Sequence, residues 1–151
     1  FLERHTPVAV TALLLVAFFA PAAWPARSGA GPDASGVIAW RAFDEVEIAR
    51  AVARGETVFV DVTAEWCVTC LVNKRLVLNR EEIAARLNAK GVVAMQADWT
   101  RPDPAIAAFL ARHRRYGIPF NIVYGPSAPG GYALPEILTV AAVQSGLAAA
   151  R

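Results

Sequence analysis

Apolar and polar positions divide the chain into three regimes. From Thr6 to Ala26 there is no charged residue, and Val8 to Ala20 is almost continuously apolar. A bilayer core of about 30 Å needs about 20 such residues, so residues 1–26 read as a hydrophobic, transmembrane segment with Pro21 and Pro25 at its far end. A signal peptide competes, with Arg4 before the apolar run and Ala22, Ala23 and Ala26 as a small-residue cleavage region. A buried soluble helix is the third reading. Residues 27–36, rich in Gly, Ser and Pro and without apolar periodicity, read as a flexible linker. Residues 37–151 alternate between helical and strand periods and form the globular part.

Within that part, Asp44 is placed to cap a helix running to about Arg54, with Val46, Ala49, Val52 and Ala53 on one face, Ile48 at its edge, and Gly55 as the stop. Thr57 to Thr63 reads as a buried strand of β-branched and aromatic residues carrying a single acid, Asp61. A helix covers about Cys67 to Leu78, Asn79 can cap another from Arg80 to Ala89, and Gly91 ends it. Val92 to Trp99 forms the next strand. Asp103 opens a helix to about Arg115 that turns Ile106, Phe109 and Leu110 inward. A strand follows from Phe120 to Tyr124, a turn spans Gly125 to Gly131, Tyr132 to Leu134 forms a short partner strand, and Thr139 caps a last helix to about Ala150. This order implies an α/β fold with a mixed central sheet and helices on both faces, the first two strands parallel and the last two antiparallel.

Composition changes this picture little. The 151 residues leave room for one domain and an appendage, and much of the excess behind the 56% hydrophobic content lies in the first segment. A net charge of +2, with no basic–aromatic alternation and no Gly-rich phosphate loop, gives no case for nucleic acid as a partner. The chain starts at Phe1 rather than Met, as expected of a fragment or a processed product.

The chemistry is concentrated in Cys67 and Cys70, the only two cysteines. A strand that delivers Cys-x-x-Cys onto the start of a helix is the layout of a dithiol redox centre. Cys67, at the helix start, is the expected nucleophile, because unpaired N–H groups and the helix dipole favour its thiolate. Cys70, one turn on, is placed to attack the mixed disulfide that results. A structural disulfide would close only a very small loop. A zinc site would need about four ligands, against two cysteines and the distant His5 and His113. No metal and no organic cofactor is therefore expected; the redox-active disulfide is itself the working group.

Asp61, six residues before Cys67, is an acid in an apolar strand. Desolvation would raise its pKa and fit it to exchange protons with Cys70 through a water; a solvated edge or a lysine partner is the plainer alternative. Trp66 is either a shield over the sulfurs that also meets a partner or only a rim aromatic. Pro119, after Ile118 at the start of a strand, could hold a cis turn beside the cysteines and leave the Ile118 backbone to pair with an extended substrate segment. On sequence alone an ordinary trans proline is favoured, since cis bonds are about 5–6% of X–Pro bonds.

Strand, Trp-Cys-x-x-Cys and Ile-Pro before a later strand together resemble the thioredoxin superfamily over about Asp44 to Ala150. More narrowly, Val60-Asp-Val-Thr-Ala-Glu-Trp-Cys-Val-Thr-Cys70, Val123-Tyr-Gly-Pro126 and Leu134-Pro-Glu-Ile-Leu-Thr139 are similar to the C-terminal periplasmic domains of the DsbD family of thiol:disulfide interchange proteins. The resemblance implies that Cys67 attacks, Cys70 resolves, Asp61 is the nearby acid and Pro119 is cis. It also implies a membrane electron-donor domain, upstream in the same chain or separate, and disulfide-containing periplasmic proteins as acceptors. The location it implies is the bacterial inner membrane, with this domain in the periplasm. Relatives often carry glutamate four residues after the second cysteine, where this chain has Lys74; a lysine there would favour thiolate.

The function expected is that of a membrane-tethered protein-disulfide reductase. The alternatives are an anchored thioredoxin-like protein for cytochrome c maturation, a disulfide oxidase, and a non-catalytic thioredoxin-like adaptor binding through Trp66 and Pro119.

Overall fold

The computed structural model describes residues 38–151. The expected transmembrane segment and the whole of the linker lie outside these residues. Among those described, no helix is long and apolar enough to cross a membrane.

Five strands form one mixed sheet in the order β1-β3-β2-β4-β5: β1 (Arg41–Ala42), β2 (Thr57–Thr63), β3 (Val92–Asp98), β4 (Phe120–Gly125) and β5 (Ala128–Ala133). β3 runs parallel to both β1 and β2, while β2–β4 and β4–β5 are antiparallel. The helices are α1 (Glu45–Ala53), α2 (Val68–Asn73), α3 (Glu81–Leu87), α4 (Pro104–Arg112) and α5 (Val140–Ala149). A π-helical turn, Lys74–Leu78, continues α2.

The central strand β2 is buried along its whole length because both faces are covered. Val58, Val60 and Val62 pack with Val93, Met95, Phe120 and Ile122 beneath α1 and α4, through Ile48, Ala51, Ile106, Phe109 and Leu110. Phe59 points the other way, into a layer with Ala94, Val123, Val77, Leu78, Ile83, Leu87, Val143 and Leu147 from the π turn, α3 and α5. The period of two along β2 therefore assigns each residue to a layer: odd numbers face the side of the cysteine helix.

Side chains stop and start these elements largely as expected. Asp44 Oδ1 accepts from the backbone N–H of Val46 (2.9 Å) and Glu47 (3.2 Å), and Asp103 Oδ1 does the same for Ala105 and Ile106. Thr139 Oγ1 accepts from Ala142 N at 3.1 Å.

Four expectations need correction. The inward face of α1 is Ile48 and Ala51, with Val52 half-buried, whereas Val46 is 59% exposed and Ala49 and Ala53 face out. Phe43 stacks edge-on against Phe109 at 4.9 Å just before the cap, and this anchor sets the helix phase. Asn79 does not cap the following helix. It closes the π turn, its N–H donating to Lys74 O (2.8 Å), and Arg80 stands at the N-cap of α3 without a side-chain capping bond. β5 begins at Ala128, earlier than the glycines suggested: Gly131, at φ +88°, lies within an irregular edge strand rather than in the turn. Finally, β1 pairs Arg41 and Ala42 with Met95 and Gln96, and two residues are too few to carry a periodic signal.

Candidate active site: the Cys67–Cys70 centre

β2 and β3 end on one edge of the sheet, and antiparallel β4 starts there, so the loops after β2 and β3 and before β4 converge. Cys67 and Cys70 stand at this edge, joined by a disulfide of 2.02 Å. Cys67 is the N-cap of α2, and its Sγ accepts from Cys70 N at 3.2 Å. An N–H held on the sulfur is a stronger partner when that sulfur is an anion. Cys67 is 6% exposed and Cys70 2%, the order expected for an attacking and a resolving sulfur.

The peptide bond Ile118–Pro119 is cis, as the family resemblance implied. It brings Ile118 against the small cluster of Ala64, Cys67 and Cys70. Pro119 is itself buried at the start of β4.

Trp66 is 61% exposed at the rim, yet it is not loose. Its indole Nε1–H donates to Thr100 O (3.3 Å), and Glu65 N donates to Thr100 Oγ1 (3.0 Å). Asp98 Oδ1 in turn accepts from Thr100 N at 2.9 Å. The loop after β3 thus braces the loop that carries the cysteines. Val68, between the cysteines, is 72% exposed, so an apolar rim surrounds the sulfurs.

Asp61 is 3% exposed and lies in the layer beneath α2. The plainer alternative of a solvated edge is therefore overturned. β2 aligns it with Gln96 on β3 and Asn121 on β4. Both neighbours donate to it: Asn121 Nδ2 to Oδ1 at 2.9 Å, and Gln96 Nε2 to Oδ2 at 3.3 Å. Neither amide was singled out from the sequence; counting registers across three strands would have been needed to find them.

Asn73 was missed as well. It is buried on α2, three residues after Cys70, where its Nδ2 donates to Glu136 O (2.7 Å) and its Oδ1 accepts from Leu138 N (3.0 Å). The segment before α5 is thereby fastened to the cysteine helix.

Two sulfurs at a helix start, a buried acid below them and an adjacent cis-proline turn form a centre suited to thiol–disulfide exchange. A family model described as thioredoxin-like matches residues 39–126. The thiol:disulfide interchange protein DsbD of Ralstonia nicotianae is 33% identical over 130 residues, which are 83% of this chain and 21% of that protein. DsbD 1 of Pseudomonas aeruginosa is 30% identical over 105 residues, 69% of this chain and 17% of that protein. The chain thus spans about a fifth of the length of these curated relatives. Among solved structures, the oxidised C-terminal domain of Neisseria meningitidis DsbD superposes with a TM-score of 0.57 at 19% identity, covering 70% of this chain and 91% of that one. A Thermus thermophilus thioredoxin gives 0.56 at 23% identity, covering 74% and 86%. These two share its fold. Matched over more than half its length, the chain belongs to the thioredoxin-like family, and its sequence is similar to that of the thiol:disulfide interchange protein DsbD.

Proposed function

We propose that this is a membrane-tethered protein-disulfide reductase, which takes electrons from a membrane donor and gives them to disulfide-containing proteins of the bacterial periplasm. The observation that carries the reading is the Cys67–Cys70 disulfide at the start of α2, beside the cis Ile118–Pro119 turn. Residues 1–26 anchor the chain in the inner membrane. Residues 27–36 give the domain, 37–151, the reach to alternate between donor and acceptors. The donor domain is either upstream in the same chain or a separate protein.

In the reduced state the Cys67 thiolate attacks one sulfur of an acceptor disulfide. A Cys67–acceptor disulfide forms, the acceptor S–S bond breaks, and the displaced thiolate takes a proton. Cys70 then gives its proton to the Asp61 carboxylate through a water and attacks Cys67 Sγ. The second acceptor thiolate leaves, Cys67–Cys70 closes, and two electrons have passed to the acceptor. Trp66 and Ile118 line the docking rim, and the Ile118 backbone pairs with an extended acceptor segment next to Pro119. Disulfide exchange calls for no metal or organic cofactor.

A redox titration with thiol trapping, read by mass spectrometry, tests this. The expected result is one two-electron transition at about −270 mV or lower, the range of reducing thioredoxins; a value near about −120 mV would make the protein a disulfide donor instead. With Cys70→Ser, a covalent Cys67–acceptor adduct should accumulate. If no adduct forms and Cys67–Cys70 never cycles, exchange chemistry is excluded.

A further inference from the structure

The inward stripe of the cysteine helix carries one cation. Cys70, Asn73, Lys74, Val77 and Leu78 follow the i, i+3, i+4, i+7, i+8 spacing of one helix face. Four of these five are buried, and Val77 and Leu78 sit in the same layer as Phe59. Lys74 is half-buried among them. Asp61, two residues beyond Phe59 on β2, faces that layer and is the single buried ionisable side chain among the described residues outside the disulfide and Tyr124. Asp61 and Lys74 are each engaged in interactions beyond these hydrogen bonds.

The polar groups around Asp61 are set for a carboxylate. Both flanking amides donate to it, and Asn121 keeps its N–H there although its own Oδ1 is then buried without a hydrogen-bond partner among the described residues. A protonated acid would offer an O–H, and the opposite amide orientation would serve it better. Two neutral amides do not balance a buried charge, so a cation is needed. The other elements supply none. The facing side chains of β3 and β4 are Gln96 and Asn121, α5 contains no charged residue, and α3 turns Ile83, Ala84 and Leu87 inward with Glu81, Glu82 and Arg86 exposed. Glu136, whose carbonyl meets Asn73, directs its carboxylate to Arg115 at 3.4 Å. From α2 and the π turn, the titratable groups on the facing stripe are Cys70 and Lys74.

We propose that Lys74 is a positioning residue, pairing with Asp61 beneath the cysteine helix and holding it as the carboxylate that receives the Cys70 proton. The inference rests on the proposed exchange mechanism for its purpose, though the ion pair can be tested without it. An adjacent cation favours the carboxylate, the form of the base that can accept that proton.

The test is NMR of the full chain, reduced, kept in solution with mild detergent and labelled at the aspartate side-chain carboxyl carbons. The Asp61 signal is followed from about pH 4 to about pH 9 in the wild type, Lys74→Met and Lys74→Arg. In Lys74→Met the Asp61 midpoint should rise by about one pH unit or more, about tenfold in proton affinity, and in Lys74→Arg it should return towards the wild type. Resolution of a trapped mixed disulfide in Lys74→Met should then slow below the new midpoint and recover above it. An Asp61 midpoint that stays within about 0.3 unit in folded Lys74→Met overturns the pair. If Lys74→Met does not fold, Lys74→Gln is titrated in its place, and its Asp61 midpoint decides by the same two outcomes. A shifted midpoint in a protein whose potential is that of an oxidant would sink the reductase reading and leave the ion pair standing.

Discussion

At the scale of single residues, the layer opposite the cysteine helix holds a titrating group of its own. His113 Nε2 lies 2.6 Å from Tyr124 Oη, its ring stacks edge-on against Phe109 at 4.9 Å, and Arg112 beside it is engaged with Glu45. Burial first, and then the Arg112 charge, lower the His113 pKa from its ordinary value. The folded state therefore takes up a proton less readily than the unfolded chain, whose histidine titrates near about 6.5. This contribution to stability is complete above that value and is lost as the pH falls through it towards the lowered folded value. Thermal unfolding between about pH 7.5 and about pH 5 should show a steeper acid loss in the wild type than in His113→Gln. Equal slopes would mean that His113 is not coupled to folding. Nothing in the sequence marked this residue except its rarity. Its environment is made by Phe109 on α4 and by Phe120 and Tyr124 on β4, a helix and a strand brought together by folding.

At the scale of elements, most of the architecture was legible because it rests on local signals. The bounds of β2 follow from a run of β-branched and aromatic residues interrupted only by Asp61, and α1, α4 and α5 start at side-chain caps. What could not be read depends on partners far away in the sequence. The phase of α1 is fixed by Phe43 against Phe109, β1 exists through its pairing with β3, and Asp61 acquires meaning from Gln96 and Asn121. Asn73 belongs to the same class, since both of its partners lie more than sixty residues later. Asn73→Ala would leave the buried Leu138 N–H and the Glu136 carbonyl without that side chain. The expected cost is about 1–3 kcal/mol, seen as a lower thermal midpoint. Increased proteolysis between residues 134 and 139 should accompany it, because this segment is held to α2 by those two bonds. A wild-type midpoint and cleavage pattern would show that the clamp contributes nothing.

At the scale of the whole molecule, stability and chemistry are concentrated at opposite ends of the same strand. β4 begins next to Pro119 at the sulfurs and ends at Gly125, about 17 Å away at the rise of an extended chain. There the last helix closes onto the sheet. Ser127 N donates to Ala150 O at 3.2 Å, and a Cβ on Gly125 would lie 2.0 Å from that same oxygen. The obstacle is backbone, so it cannot turn aside as a flexible side chain would; α5 or the end of β4 has to shift. Overpacking of this kind costs about 1–3 kcal/mol, so Gly125→Ala should unfold at a lower denaturant midpoint with an unchanged m-value. The site stands on the first residues of β4 and on the loops after β2 and β3, and the cluster around its sulfurs, Ala64, Cys67, Cys70 and Ile118, is separate from the one that holds Ala150. The reduction potential and the reactivity of Cys67 should therefore match the wild type while the protein remains folded. A potential that moves with Gly125→Ala would mean that the closure of α5 is transmitted along β4 to the cis-proline turn. An unchanged potential beside a lowered midpoint would separate what holds this domain together from what lets it exchange disulfides.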